Sequence, residues 1–374
     1  MRSRNPIAAI AFSLGLCVLA LETLPRLMEI PGLSARDLDP ISFELSKSNI
    51  APHPYLAYAN RANYKSREGA KHQISHNSLG FRGPEIASPK PSGTFRIVCL
   101  GGSSTYGHGP SSDATTWPAR LETRLRAARP ELSLDVVNGG CRGYSTFESL
   151  GNYAFRISDL DPDLVLIYHT VNDMRCALYL DVKRDNTHWR AIWRDVPESP
   201  FDGSYTYLTW RRYLTDHFER FGDIGNFVIV DFDENLKSVV GEEKPRAYQI
   251  KEDTELGYRN FHRNLESIVA LAKNDGASVA IGTQAVLRRR DPDMNDEVLA
   301  FNQMTEVLRK VGLDRGALLV DIQAGVSAEE VRRAGADEAS LFIESPDVVE
   351  VHLTDEGADL VASLFAEALL NGGF

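Results

Sequence analysis

The 374-residue chain is 43% hydrophobic and 25% charged, an ordinary globular composition, and carries a net charge of −11. That balance excludes a nucleic-acid partner, because phosphate binding needs a concentrated basic surface; the one basic run, Arg288-Arg289-Arg290, meets Asp291 and Asp293 at once and reads as a solvated loop. The length exceeds a typical single domain without reaching two full ones, which predicts one α/β domain with additions.

In chain order, Met1 to Asn5 carries two positive charges, and Pro6 to Leu21 then runs without any charge. Such a run covers about 24 Å as a helix, against a hydrocarbon core of roughly 30 Å. A basic flank ahead of it and Glu22 behind it put the N-terminus on the cytoplasmic side. The run ends Leu19-Ala20-Leu21, with no A-x-A cleavage signal, and Leu16 precedes Cys17 where a lipoprotein signal has a small residue. Residues 1–21 therefore read as a cytoplasmic tip and signal anchor, a transmembrane helix in the lipid bilayer. A cleaved signal peptide and a buried core helix are the alternatives.

Residues 22–90 read as a stalk and lead-in, punctuated by Pro25, Pro31, Pro40, Pro52, Pro54, Pro84 and Pro89, with a turn-rich stretch at Asn77-Ser78-Leu79-Gly80-Phe81-Arg82-Gly83. From Phe95 the pattern alternates between strand and helix. Strands are predicted at Phe95–Leu100, Leu134–Asn138, Asp163–Tyr168, Ser278–Thr283 and Ala317–Asp321, and helices at Trp117–Arg129, Phe147–Ser158, Phe261–Asn274, Asp296–Lys310 and Asp355–Leu370. Parallel strands need helical crossovers, so this is an α/β domain with a five-stranded parallel sheet covered on both faces, over residues 91–374. Residues 174–256 break the rhythm with Trp189, Trp193, Tyr205, Tyr207, Trp210 and Tyr213; they read either as a substrate lid or as a small self-packed cap. The cysteines, Cys17, Cys99, Cys141 and Cys176, lack metal-ligand spacing, and a meeting of Cys141 with Cys176 is left open. No cofactor motif is present: the glycine turn after the first strand lacks the Gly-Lys-Ser/Thr of a P-loop, the G-x-G-x-x-G of a dinucleotide site and the G-x-S-x-G of a nucleophile elbow. His53, His72 and His76 do not have the spacing of a zinc site.

Ligands of doubly wound sheets sit beyond the carboxyl ends of the strands. Those ends hold Gly101-Gly102-Ser103-Ser104-Thr105-Tyr106-Gly107, Asn138-Gly139-Gly140-Cys141-Arg142-Gly143 and His169-Thr170-Val171-Asn172-Asp173, while Val351-His352-Leu353-Thr354-Asp355-Glu356-Gly357 precedes the last helix. Taken singly, each is an ordinary turn or helix cap. Together they supply a hydroxyl, a glycine N–H, a side-chain amide and an imidazole, the groups that attack on an ester needs.

In this order the segments resemble the four blocks of the SGNH (GDSL-like) hydrolase superfamily, across roughly residues 95–370, and the lead-in resembles a membrane-anchored bacterial subgroup. The resemblance implies a three-layer, flavodoxin-like fold, Ser103 as nucleophile, His352 as base, and an oxyanion hole from Ser103, Gly143 and Asn172. It departs from the family at Gly102, where block one has Asp, at Thr170, where block three has Gly, and at Val349, where D-x-x-H has its acid. Glu350 is the favoured substitute, with Asp347 the alternative, Glu344 a third nearby carboxylate, and a Ser-His dyad the remaining possibility. The implied activity is a serine esterase acting on small acyl esters, acetyl on envelope carbohydrate included, outside a bacterial cytoplasmic membrane. An acyltransferase using the same acyl-enzyme and a silent binding or assembly module on the same scaffold are its competitors.

Overall fold

An apolar run without alternation needs cover on both faces, and Ile97, Val98, Cys99 and Leu100 are all fully buried. In a computed structural model of the chain, which describes residues 6–28, 49–51, 53, 56, 58–178, 182, 184–186, 204, 206–207, 209–210, 252–288, 295–344 and 349–373, this run is the heart of strand β1 (Thr94–Gly101). With β2 (Ser133–Asn138), β3 (Leu164–Tyr168), β4 (Ser278–Gly282) and β5 (Leu318–Val320) it forms a wholly parallel sheet in the order 2-1-3-4-5. The five predicted strands are therefore these five, shifted by a residue or two. The order reverses beside β1, which makes the carboxyl ends of β1 and β3 the place where a ligand crevice opens.

The helices in chain order are α1 (Pro6–Met28), α2 (Ser103–Tyr106), α3 (Trp117–Ala128), α4 (Thr146–Asn152), α5 (Val171–Leu178), α6 (Glu252–Asn274), α7 (Asn295–Asp314), α8 (Ile322–Gly335) and α9 (Asp355–Asn371). Successive strand side chains point to opposite faces, and the two cores follow. Val98, Val165 and Ile167 pack against Phe261, Leu265 and Met304 of α6 and α7. Ile97, Cys99 and Leu166 pack against Trp117, Leu121, Val361 and Phe365 of α3 and α9.

The chain divides into two units, one of residues 50–190 with 240–374 and one of residues 1–49 with 191–239. From residue 50 the lead-in thus belongs to the same unit as the sheet. Tyr58 and Phe81 are buried there, and Arg82 bridges to Asn138 at the end of β2. Residues 29–48 of the expected stalk lie outside the described residues, as does most of the 174–256 insertion, including Trp189, Trp193, Tyr205 and Tyr213.

The expected membrane anchor is not borne out. Pro6–Met28 is helical, with Ile7, Phe12 and Leu14 exposed, but no helix among the described residues is long and apolar enough to cross a membrane. Its uncharged part stops at Leu21, and Glu22 and Arg26 lie in the same helix. All four cysteines are free, and Cys141 and Cys176 are buried thiols rather than a pair.

Candidate active site

β1 ends at Gly101, and after Gly102 the chain enters α2 with Ser103 as its first residue. Position 102 has no room for a side chain: a Cβ there would lie 2.7 Å from Asn172 Nδ2 and 3.0 Å from the Tyr144 carbonyl oxygen. This is a physical reason for glycine where the family has aspartate, because the Asn172 amide fills the space. It also shows three distant segments meeting at one point.

Ser103 Oγ lies 2.8 Å from His352 Nε2. On the other side of the ring, His352 Nδ1 lies 2.7 Å from Glu350 Oε1, and Glu350 is fully buried. A neutral imidazole has one donor and one acceptor, so the N–H sits on Nδ1 facing the carboxylate and the Nε2 lone pair faces the serine. The same Oε1 accepts the backbone N–H of Val351 (2.9 Å) and of His352 (2.6 Å), which pins the carboxylate. Residues two apart in an extended chain share a face. Val349 and Val351 accordingly enter the apolar core while Glu350 turns to the side of His352. The stretch is held extended by Val349–Glu350 pairing antiparallel with Leu287–Arg288. This corrects the reading of Arg288 as part of a solvated loop; Arg289 and Arg290 lie outside the described residues. Glu344 is exposed, and Asp347 also lies outside the described residues.

Asn172, the second residue of α5, donates one Nδ2 hydrogen to the Tyr144 carbonyl at 2.8 Å, and a primary amide keeps a second donor. Gly143 adopts φ +74°, a left-handed conformation that suits glycine. The two segments are fastened by Asp173, whose carboxylate accepts the Thr146 N–H at 3.1 Å and the Thr146 Oγ1 hydrogen at 2.5 Å at the start of α4. Thr170, which stands in place of the family's glycine, is buried with its hydroxyl on the His169 carbonyl.

His108 stands edge-on to His352, ring centroids 4.6 Å apart and planes at 70°. Burial first, then coulombic interaction with His352 and Arg142, hold its pKa down to about 3, so it is a neutral imidazole beside the His352 ring. His169 is enclosed, its Nε2 2.7 Å from Ser149 Oγ. Asp173 Oδ2 lies 3.9 Å from its Nδ1, beyond hydrogen-bond reach, and burial holds the pKa to about 3.

The role of Arg82 was not visible in the sequence. Asn77 Oδ1 accepts the N–H groups of Leu79 (3.0 Å) and Phe81 (2.9 Å), folding the turn-rich stretch back on itself. The turn delivers the buried Arg82 guanidinium to the carbonyls at the end of α2, that of its last residue Tyr106 at 3.1 Å and that of the capping Gly107 at 2.6 Å, while Nε meets Asp113 Oδ1 at 2.7 Å. Helix-terminal carbonyls lack intrahelical partners, and here a buried cation supplies them under the segment that carries Ser103. Among the described residues there is no cluster of His, Cys, Asp and Glu able to hold a metal.

Residues 99–360 match the model of the GDSL-like Lipase/Acylhydrolase family. The chain is similar in structure to an acetylxylan esterase from Geobacillus stearothermophilus, with 16% identity over 75% of this chain and 96% of that one and a TM-score of 0.44. It is similar also to an alpha/beta hydrolase enzyme from the metagenome of Lake Arreo, Spain, with 17% identity over 73% and 94% of the two chains and a TM-score of 0.42. No curated protein matches the chain.

Proposed function

The chain belongs to the GDSL-like lipase/acylhydrolase family and is an ester-bond hydrolase, and from that premise we propose that it cleaves small acyl esters through a covalent Ser103 acyl-enzyme. The observation that carries this reading is the continuous contact from Ser103 Oγ through His352 to Glu350, 2.8 Å and 2.7 Å long. His352 Nε2 takes the serine proton as Oγ attacks the ester carbonyl, and Glu350 stabilises the imidazolium that forms. The developing oxyanion is held by the Ser103 and Gly143 N–H groups and by the second Nδ2 hydrogen of Asn172. The proton then passes from His352 to the leaving alkoxide. Water, deprotonated by the same nitrogen, frees the acid and restores Ser103.

The His352 side chain is only 17% exposed, with the His108 ring against it. That confined setting suits a short acyl chain such as acetyl, and a carbohydrate hydroxyl is the proposed alcohol. The purified protein is expected to hydrolyse p-nitrophenyl acetate, with the rate abolished in Ser103→Ala. An unchanged rate in that variant refutes the reading. The working compartment is proposed to be outside the cytoplasm, reached by export directed by the basic tip and apolar run of residues 1–21. Protease added to intact cells should digest the hydrolase domain; full protection tells against export.

A further inference from the structure

Gln284 lies two residues past the end of β4, is 2% exposed, and belongs to none of the motif segments. Its Oε1 accepts the backbone N–H of Val171 at 2.7 Å, at the start of α5. Its Nε2 donates to Ser104 Oγ at 3.1 Å, and Ser104 Oγ donates in turn to the Val351 carbonyl at 2.9 Å. The directions are fixed without ambiguity. A backbone N–H can only donate, so the amide oxygen faces Val171 and the NH2 faces Ser104. The serine hydroxyl therefore accepts from the amide and spends its one hydrogen on the carbonyl.

The three residues in this chain, Ser104, Val351 and Val171, are the covalent neighbours of Ser103, His352 and Asn172. We infer that Gln284 is the positioning residue of the site: one buried amide sets the relative placement of the nucleophile, the base and the side-chain oxyanion donor. It touches none of the reacting atoms, and its effect passes through the peptide units beside them. The inference rests on the acyl-enzyme reading of Ser103 and His352. Reacting groups displaced by about an ångström lose about 10²-fold in rate, so Gln284→Ala should lower kcat by about that factor with KM little changed.

A sharper test uses the isosteric Gln284→Glu. A protonated carboxyl still accepts from Val171 and still donates to Ser104. An ionised carboxylate can only accept; the Ser104 hydrogen then turns towards it, and the Val351 carbonyl beside the base loses its donor. The ratio of variant to wild-type kcat, normalised to active sites counted with a fluorophosphonate, should be close to one at acid pH. It should then fall by about 10²-fold as the introduced carboxyl ionises. A purely space-filling role gives a ratio that does not change with pH, and that result overturns the inference. So does a Gln284→Glu protein that fails to fold at every pH, since its neutral form satisfies the same bonds. Ser103→Ala run alongside separates the two claims: if it keeps the wild-type rate, the acyl-enzyme reading fails. If it is dead while the Gln284→Glu ratio stays flat, only the role of Gln284 fails.

Discussion

Replacing Glu350 by Gln removes a charge while leaving the shape of the site intact. Two backbone N–H groups, of Val351 and His352, converge on Oε1, so the amide oxygen of the variant must take that place and the NH2 group the other. The Nδ1–H of His352 keeps an acceptor, and the Nε2 lone pair still faces Ser103. What is lost is attraction between a carboxylate and the imidazolium formed during attack. With Oε1 2.7 Å from Nδ1, the charge centres stand about 4 Å apart, and an effective dielectric near 20 gives about 4 kcal/mol. Part of this survives in the amide dipole, so kcat should fall between about 10²- and 10³-fold, at about 1.4 kcal/mol per decade. Glu350→Ala also frees the ring to adopt the wrong tautomer and should fall further, by about 10⁴-fold. Steady-state kinetics on p-nitrophenyl acetate, with folding checked by circular dichroism, reads both variants. A Glu350→Gln enzyme within about threefold of wild type would rule out a charge-stabilising role for Glu350 and leave Ser103 and His352 working as a dyad.

Gly102→Ala places a Cβ 2.7 Å from Asn172 Nδ2, and displacing that donor should lower kcat by about 10²-fold with the melting temperature nearly unchanged; the family residue, Gly102→Asp, should do no better. Arg82→Ala strips a buried cation from the half-buried Asp113 and from the Tyr106 and Gly107 carbonyls, and urea denaturation should show a loss of about 1–3 kcal/mol. His169 has a folded-state pKa of about 3 against an ordinary 6.5 because of burial, so between those values the unfolded chain binds the extra proton. Its contribution to stability is complete well above about pH 6.5 and is lost as pH falls towards about 3, the loss amounting to about 2 kcal/mol at pH 5. His169→Gln should shrink the fall in unfolding free energy between pH 7 and pH 5 by about that amount.

The parallel sheet was legible because buried parallel strands are apolar on both faces, and Phe95–Leu100 and Leu164–Tyr168 show it without alternation. Helix α8 was not, since only Ile322 and Val326 of its residues are buried and they give too little period. The two-residue pairing of Leu287–Arg288 with Val349–Glu350 is shorter than any periodicity, yet it aims the carboxylate. Ser103 and Asn172 stood out at the carboxyl ends of predicted strands and His352 just ahead of the last helix, because their segments together, in order, resemble the family's blocks. Glu350 was favoured over Asp347 as a long carboxylate side chain two residues from His352, and the extended chain there gives the physical reason that it reaches the ring. Gln284 and Arg82 carry no such signature: each acts by bonding the backbone of a residue far away in sequence, and a lone amide or guanidinium reveals nothing of its partner until the chain is folded. The membrane helix was not borne out for a different reason: the uncharged run stops at Leu21 and the same helix goes on through Glu22 and Arg26, so it is not long and apolar enough to span.

The proposed chemistry turns on Ser103 carrying the acyl group. The most direct measurement is rapid quenching of the enzyme in acid during turnover of p-nitrophenyl acetate, followed by peptide mass spectrometry. A peptide heavier by one acetyl group, modified at Ser103 and absent in Ser103→Ala and His352→Ala, is the expected result. Steady hydrolysis with that peptide never modified, or modified equally without His352, would contradict it.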